Sequence, residues 1–165
     1  MRFSLRAFVV LMATAAVVFL ADHLVKRVVS NAIPLGSEVG AGSPVTLHHI
    51  NNHGAAFGLF PGLQNVFLVV AVLVGAYIVL AGQRFGRGAL TQVVLGCILG
   101  GAAANAVDRF RQGYVVDYVD VHIWPIFNLA DACIVIGILV AVLTFGGRGR
   151  RGEDAAPAPG RRAAS

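Results

Sequence analysis

The sequence predicts a membrane protein of the all-α class with a small β insert, and three observations predict it. Apolar residues make up 57% of the chain and charged residues only 13%, and the mean hydropathy of +0.76 is too high for a water-soluble domain of 165 residues. The apolar residues gather in four runs, Ala7 to Ala21, Val66 to Ala81, Ala89 to Ala106 and Leu129 to Phe145, parted by polar turns. Between the first two runs, Ser30 to Gly62 carries Gly, Pro and Ser where turns are needed and β-favouring residues between them. The expected organisation is one four-span domain over residues 1–145, with an extramembrane β-rich insert at about 30–62. A basic, disordered cytoplasmic tail follows at 146–165, where Gly, Arg, Pro and Ala dominate.

Arg2 and Arg6 precede the first run, which by itself also fits the hydrophobic part of a cleavable leader. No small-x-small cleavage site closes it, and Asp22-His23-Leu24-Val25-Lys26 continues the helical pattern, so a retained span is expected. Asp22 and Lys26 stand four apart with the acid first, the favourable order for a helical ion pair; a solvated helix end is the other reading. In the insert, turns are expected at Pro34-Leu35-Gly36 and Gly42-Ser43-Pro44, and a strand from Val45 to Ile50. His48 and His49 are adjacent and would face opposite sides of that strand, and no HExxH pair occurs, so no metal site is expected. Asn51-Asn52-His53-Gly54-Ala55-Ala56-Phe57 suits a tight turn followed by a close apolar approach.

The second run stops at a basic turn, Gly82 to Gly88. The third carries Gly96 and Gly100 in G-x-x-x-G spacing, with Ala104 on the same face, a pattern that lets helix backbones approach closely. Asn105 and Arg109 share a face at its end, with Asp108 between them, either as a headgroup anchor or as part of a site. Asn128 is placed to cap the fourth helix, with Asp131 where a capping-box acid stands. Cys97 and Cys133 lie within spans as small apolar side chains, with neither a disulfide nor a metal expected.

The net charge of +5 does not indicate nucleic acid, because the basic residues flank apolar runs without interleaved aromatics. In a four-span arrangement nine Lys and Arg fall on one side and four on the other, which puts both termini in the cytoplasm. The opposite side carries Asp22, Glu38, Asp108, Asp117, Asp120 and Asp131. Asp117 lies in Val115-Val116-Asp117-Tyr118, an apolar piece too short to span, and Asp131 begins the last run. If the connection between them folds back, both carboxylates meet at one membrane face. A carboxylate in hydrocarbon costs about 2.5–3.5 kcal/mol on insertion scales, so such a residue implies function. Two close together resist ionising at once and share a proton, the arrangement with which aspartic proteases activate water. A proton- or cation-coupled transporter or channel subunit using Asp22, Asp117 and Asp131 is the rival, and a non-catalytic assembly protein packed through Gly96 and Gly100 a third possibility. The residues alone leave protease and transporter open.

Five blocks, taken together, resemble the signature blocks of bacterial lipoprotein signal peptidase, or signal peptidase II. They are Asp22-x-x-x-Lys26, Asn52-x-Gly54-x-Ala56-Phe57, Gly100-Gly101-Ala102-x-x-Asn105-x-x-Asp108-Arg109, Val115-Val116-Asp117-Tyr118 and Phe127-Asn128-x-Ala130-Asp131. The resemblance implies an aspartic endopeptidase with four transmembrane helices and an extracytoplasmic β-cradle. Such an enzyme removes signal peptides from diacylglyceryl prolipoproteins by cutting before the lipidated cysteine. It implies Asp117 and Asp131 as the catalytic pair, with Asn52, Gly54, Asn105, Arg109, Asn128 and Ala130 lining or supporting the site and Asp22 and Lys26 as the polar first-helix block. It also implies the bacterial cytoplasmic (inner) membrane, an extracytoplasmic site, no cofactor, and contact with membrane lipid; a monomer is expected. Ala104, Gly58 and Tyr118 depart from the residues common there, Gly, Ser and Phe.

Overall fold

The computed structural model describes residues 3–54 and 64–145. The described chain runs α1 (Leu5–Ala32), β1 (Glu38–Val39), β2 (Thr46–Asn52), α2 (Gln64–Ala81), a 3-10 turn (Gly82–Arg84), α3 (Ala89–Gln112), β3 (Val115–Asp120) and α4 (Leu129–Phe145). Three helices, Leu5–Ala32, Asn65–Arg84 and Ala89–Gln112, are long and apolar enough to cross a membrane, and α4 is an apolar helix of 17 residues. Ala56, Phe57, Gly58 and the tail at 146–165 lie outside the described residues.

The first helix outruns its apolar stretch. Ser4 opens it by accepting the Ala7 N–H, and it ends only where Ile33 turns extended, 28 residues in all. At 1.5 Å per residue it is about 42 Å long, against roughly 30 Å of hydrocarbon. Asp22 and Lys26 therefore stand inside the helix. Both are buried, which overturns the solvated-end reading.

The third helix is the axis of the bundle and packs against all three others. A Cβ at Gly96 would lie 2.7 Å from the Leu11 carbonyl oxygen, and one at Gly100 2.5 Å from that of Ala15, so the predicted small-residue face is where α1 and α3 touch. Gly101 does the same toward α4, where a Cβ would meet the Ala130 oxygen at 2.5 Å. Leu11, Ile78, Val94, Leu95 and Ile98 fill the space below. Beyond Gln112 the helix stops because Gly113 takes a left-handed conformation, φ +78°, and returns its N–H to the Arg109 carbonyl. Cys97 and Cys133 are free thiols on α3 and α4.

The insert forms a sheet, but its third strand comes from elsewhere. The order is β1-β2-β3, antiparallel throughout, with Asn52 opposite Val115, Asn51 opposite Val116 and Ile50 opposite Asp117. From sequence, 115–118 is only a short apolar piece between spans. Val115 to Tyr118 are all buried, so the strand is covered on both faces and lacks the alternation that marks a half-exposed one. Tyr118 packs with Val29 of α1 and Ile33 just beyond it, and the ring Nδ1 of buried His49 donates to the Ile33 carbonyl at 2.7 Å. The sheet is thereby pinned to the end of α1.

Candidate active site

Four segments converge at this end of the bundle: the end of β2, the middle of β3, the last turns of α3 and the first turn of α4. Asp117, 1% exposed, accepts from the Asn52 amide at Oδ2 (2.8 Å) and from the Asn128 amide at Oδ1 (2.6 Å). Asp131 accepts from the Asn105 amide at Oδ1 (2.8 Å) and from the Asn128 N–H at Oδ2 (3.3 Å). Its own N–H returns to Asn128 Oδ1 at 2.9 Å, completing the predicted capping box. The Asn128 amide also donates to Asn105 Oδ1 at 3.3 Å. Two amides thus join the carboxylates in one chain, Asp117 to Asn128 to Asn105 to Asp131.

The connection folds back as the sequence reading required, and it does so for local reasons. Tyr118 and Val119 donate backbone N–H groups to the Phe127 carbonyl, which brings the end of the loop beside β3. The Tyr118 hydroxyl accepts the Leu129 N–H at 3.1 Å, satisfying one of the free donors at the start of α4. Burial pushes the Tyr118 hydroxyl pKa above its usual value.

Beneath the pair lies a second cluster. Asp22 accepts the Ala130 N–H at Oδ1 (2.9 Å) and pairs with Lys26 at Oδ2 (2.6 Å). The Lys26 ammonium also donates to Asp108 Oδ2 (2.6 Å) and Asn105 Oδ1 (2.8 Å). Asn105 therefore belongs to both clusters: its oxygen takes Lys26 and Asn128, and its amide nitrogen holds Asp131. Arg109 donates to the carbonyls of Asn105 (3.3 Å) and Gly54 (3.4 Å), while the Gly54 N–H donates to Asn52 Oδ1 (2.9 Å). The headgroup-anchor reading of Asn105 and Arg109 gives way to this inward role.

The ten residues singled out in the sequence all fall within this network. Asp108, in sequence only a member of a motif, is the buried second carboxylate on Lys26. Its spacing from Asn105, three residues on one helix face, was the available signal.

Burial pushes the Asp117 pKa up to about 7, and the charge of Asp131 pushes the same way. The Asn52 and Asn128 amides and the Lys26 charge pull against them. Asp117 consequently holds a proton near neutrality. A cavity of about 330 Å³ opens beside Asp131, walled by Val121, Trp124, Phe127, Ala132, Val135 and Ile136. A carboxylate at the edge of an otherwise apolar hollow suits a reaction on an apolar chain.

The family model described as signal peptidase (SPase) II matches residues 14–146. The lipoprotein signal peptidase of Halothermothrix orenii is 38% identical over 133 residues, 77% of this chain and 88% of its own. That of Moorella thermoacetica is 43% identical over 76% of this chain and 85% of its own, and that of Mycolicibacterium smegmatis 39% identical over 91% and 70%. Among solved structures, a bacterial membrane enzyme superposes with a TM-score of 0.74, covering 92% of this chain and 94% of that one at 21% identity, which establishes a shared fold. The apolar helices and that shared fold make this an integral membrane protein. With the family model matching most of its length and relatives this similar along most of theirs, the chain belongs to the signal peptidase II family.

Proposed function

We propose that this protein is an aspartic endopeptidase that removes the signal peptide from diacylglyceryl-modified prolipoproteins, cutting before the lipidated cysteine, with Asp117 and Asp131 as its catalytic pair. The observation that carries this reading is the amide chain that couples the buried Asp117 of β3 to the half-buried Asp131 of α4. The pair holds one proton between them near neutral pH, in keeping with an Asp117 pKa of about 7.

The chemistry follows from that single proton. The ionised carboxylate takes a proton from water as the water oxygen attacks the scissile carbonyl. The protonated partner donates to the developing oxyanion, giving a tetrahedral diol. When the C–N bond breaks, the proton gained from water passes to the leaving amine, the diol hydroxyl returns its proton to the partner carboxylate as the carbonyl re-forms, and the pair is back in its starting state. Asn52, Asn105 and Asn128 keep the two acids aimed at the same point, Arg109 ties the Gly54 loop to α3, and Asp22 and Lys26 anchor the start of α4 and Asn105. The apolar cavity beside Asp131 accommodates hydrocarbon of the substrate.

In this reading α4 is the fourth span, both termini are cytoplasmic by the distribution of Lys and Arg, and the site faces the extracytoplasmic side of the bacterial inner membrane. The protein works as a monomer in contact with membrane lipid, with residues 1–145 as the working unit and the basic tail outside the bilayer. Transport finds no support in the family or in the relatives. The test is cleavage of a purified diacylglyceryl prolipoprotein by folded Asp117→Asn and Asp131→Asn variants. Loss of cleavage in both supports the pair, and normal turnover by either one removes it.

A further inference from the structure

The opposite end of the bundle carries groups that peptide cleavage does not use. Gln92 and Asn105, thirteen residues apart on α3, are separated by about 20 Å. The 24-residue helix starts after Gly88 with no side chain capping it and no acid in its first turn. The N–H groups of its first turn and the positive end of its dipole therefore face outward. Arg6 and Arg87 stand at the same place and, with Ser4, Val10 and Gln92, line a cavity of about 320 Å³.

Gln92 supplies the second, independent observation. Its residue exposure is 0%, its Nε2 holds the Gly86 carbonyl at 2.5 Å, and its Oε1 has no hydrogen-bond partner among the described residues. A buried acceptor left unpaired is costly and calls for a donor. An anion alone cannot satisfy it, because a carbonyl oxygen and an anionic oxygen both only accept. The missing group must carry a donor, an O–H or an N–H, and because an ammonium would be repelled by Arg6, Arg87 and the helix end that attract negative charge, a hydroxyl is the donor that fits. An adjoining cavity of about 470 Å³ shares Arg87 and adds Arg84 with an apolar wall of Phe3, Val79 and Leu80. Charge, hydroxyl acceptor and hydrocarbon wall thus lie side by side.

We infer that this end of the protein is a binding site for an acidic phospholipid with a hydroxylated headgroup. The phosphodiester pairs with Arg6 and Arg87 at the start of α3, a headgroup hydroxyl donates to Gln92 Oε1, and an acyl chain lies along Val79 and Leu80. Basic pockets beside transmembrane helices bind anionic headgroups by the same physics.

The full chain in detergent, titrated with lipid and followed by native mass spectrometry, tests this. Phosphatidylglycerol should bind at least about ten-fold tighter than phosphatidylcholine, and Arg6→Gln and Arg87→Gln should each weaken it by about five-fold. Phosphatidylmethanol, which has the same charge and no headgroup hydroxyl, should bind more weakly than phosphatidylglycerol, and Gln92→Met should erase that difference. Equal binding of phosphatidylglycerol and phosphatidylcholine, or no effect of the arginine variants, overturns the site. Equal binding of phosphatidylglycerol and phosphatidylmethanol to the unaltered protein overturns the role of Gln92, whether or not the Gln92→Met variant folds. Free glycerol 1-phosphate occupying the site as tightly as the lipid overturns the assignment to a phospholipid.

Discussion

Two clusters of carboxylates sit within one network, and they are held in opposite ways. Asp22 and Asp108 share the ammonium of Lys26, with two oxygens at 2.6 Å from it. Asp117 and Asp131 have no cation in hydrogen-bond contact among the described residues and are held instead by the neutral amides of Asn52, Asn105 and Asn128. The first arrangement compensates two carboxylates with one ammonium. The second leaves two acids to oppose each other's ionisation, which keeps a proton available. Burial alone therefore does not mark a reactive carboxylate; the chemistry of its partners does.

The sharpest way to break this contrast is to neutralise one member of each cluster. Asp117→Asn or Asp131→Asn should lower the cleavage rate by about 10³-fold or more while the protein still unfolds cooperatively on heating. The Asp117 pKa is raised in the folded state, so its contribution to stability is full below about pH 4 and is lost as pH rises through about 7. Thermal unfolding of the unaltered protein should therefore decline between those values more steeply than that of Asp117→Asn. A parallel decline in both proteins would contradict the burial of a titrating acid there.

In the compensated cluster the expected loss is of stability. Lys26→Met leaves Asp22 and Asp108 without their cation and should destabilise the protein by about 3–5 kcal/mol, read from denaturant unfolding in micelles. Adding Asp22→Asn should restore part of it, because one uncompensated charge goes. If Lys26→Met leaves stability untouched and acts only on turnover, the two clusters are not divided as described.

Asn52→Ala should have a smaller, directional effect. The amide donates to the Asp117 carboxylate and favours its ionised form, so its removal raises the pKa further. The alkaline limb of the pH–rate profile, expected near pH 7, should move upward, and movement downward would show that the amide acts some other way. Tyr118→Phe should matter least. It deletes the acceptor for the Leu129 N–H and should cost about 1 kcal/mol in unfolding, with cleavage nearly unchanged.

Much of this was legible in the amino-acid sequence. The apolar runs and the Gly96/Gly100 face come from composition and spacing along single helices, and the structure bears out the close packing. The Asn128 and Asp131 capping box was legible because its partners are three residues apart. What escaped was long-range. No local pattern says that 115–120 joins a sheet begun at Glu38, because a strand buried on both faces has no alternation to read. The inward fate of Asp22 and Lys26 was equally hidden, since an i, i+4 ion pair looks the same on a wet surface as in a dry core. Only the arrival of Ala130 and Asp108 from other helices decides between them.

Asn128 carries a consequence for how the protein ages. Its oxygen accepts the Asp131 N–H while its nitrogen donates to Asp117 and Asn105, so neither face of the amide can be inverted without losing bonds. Spontaneous hydrolysis of that amide to an acid would set a third negative group between two that already repel, and would remove the donor that Asp117 Oδ1 and Asn105 Oδ1 accept. A molecule so altered would forfeit its work, and peptide mapping of enzyme inactivated by long storage should find the damage at this residue if such wear limits its lifetime.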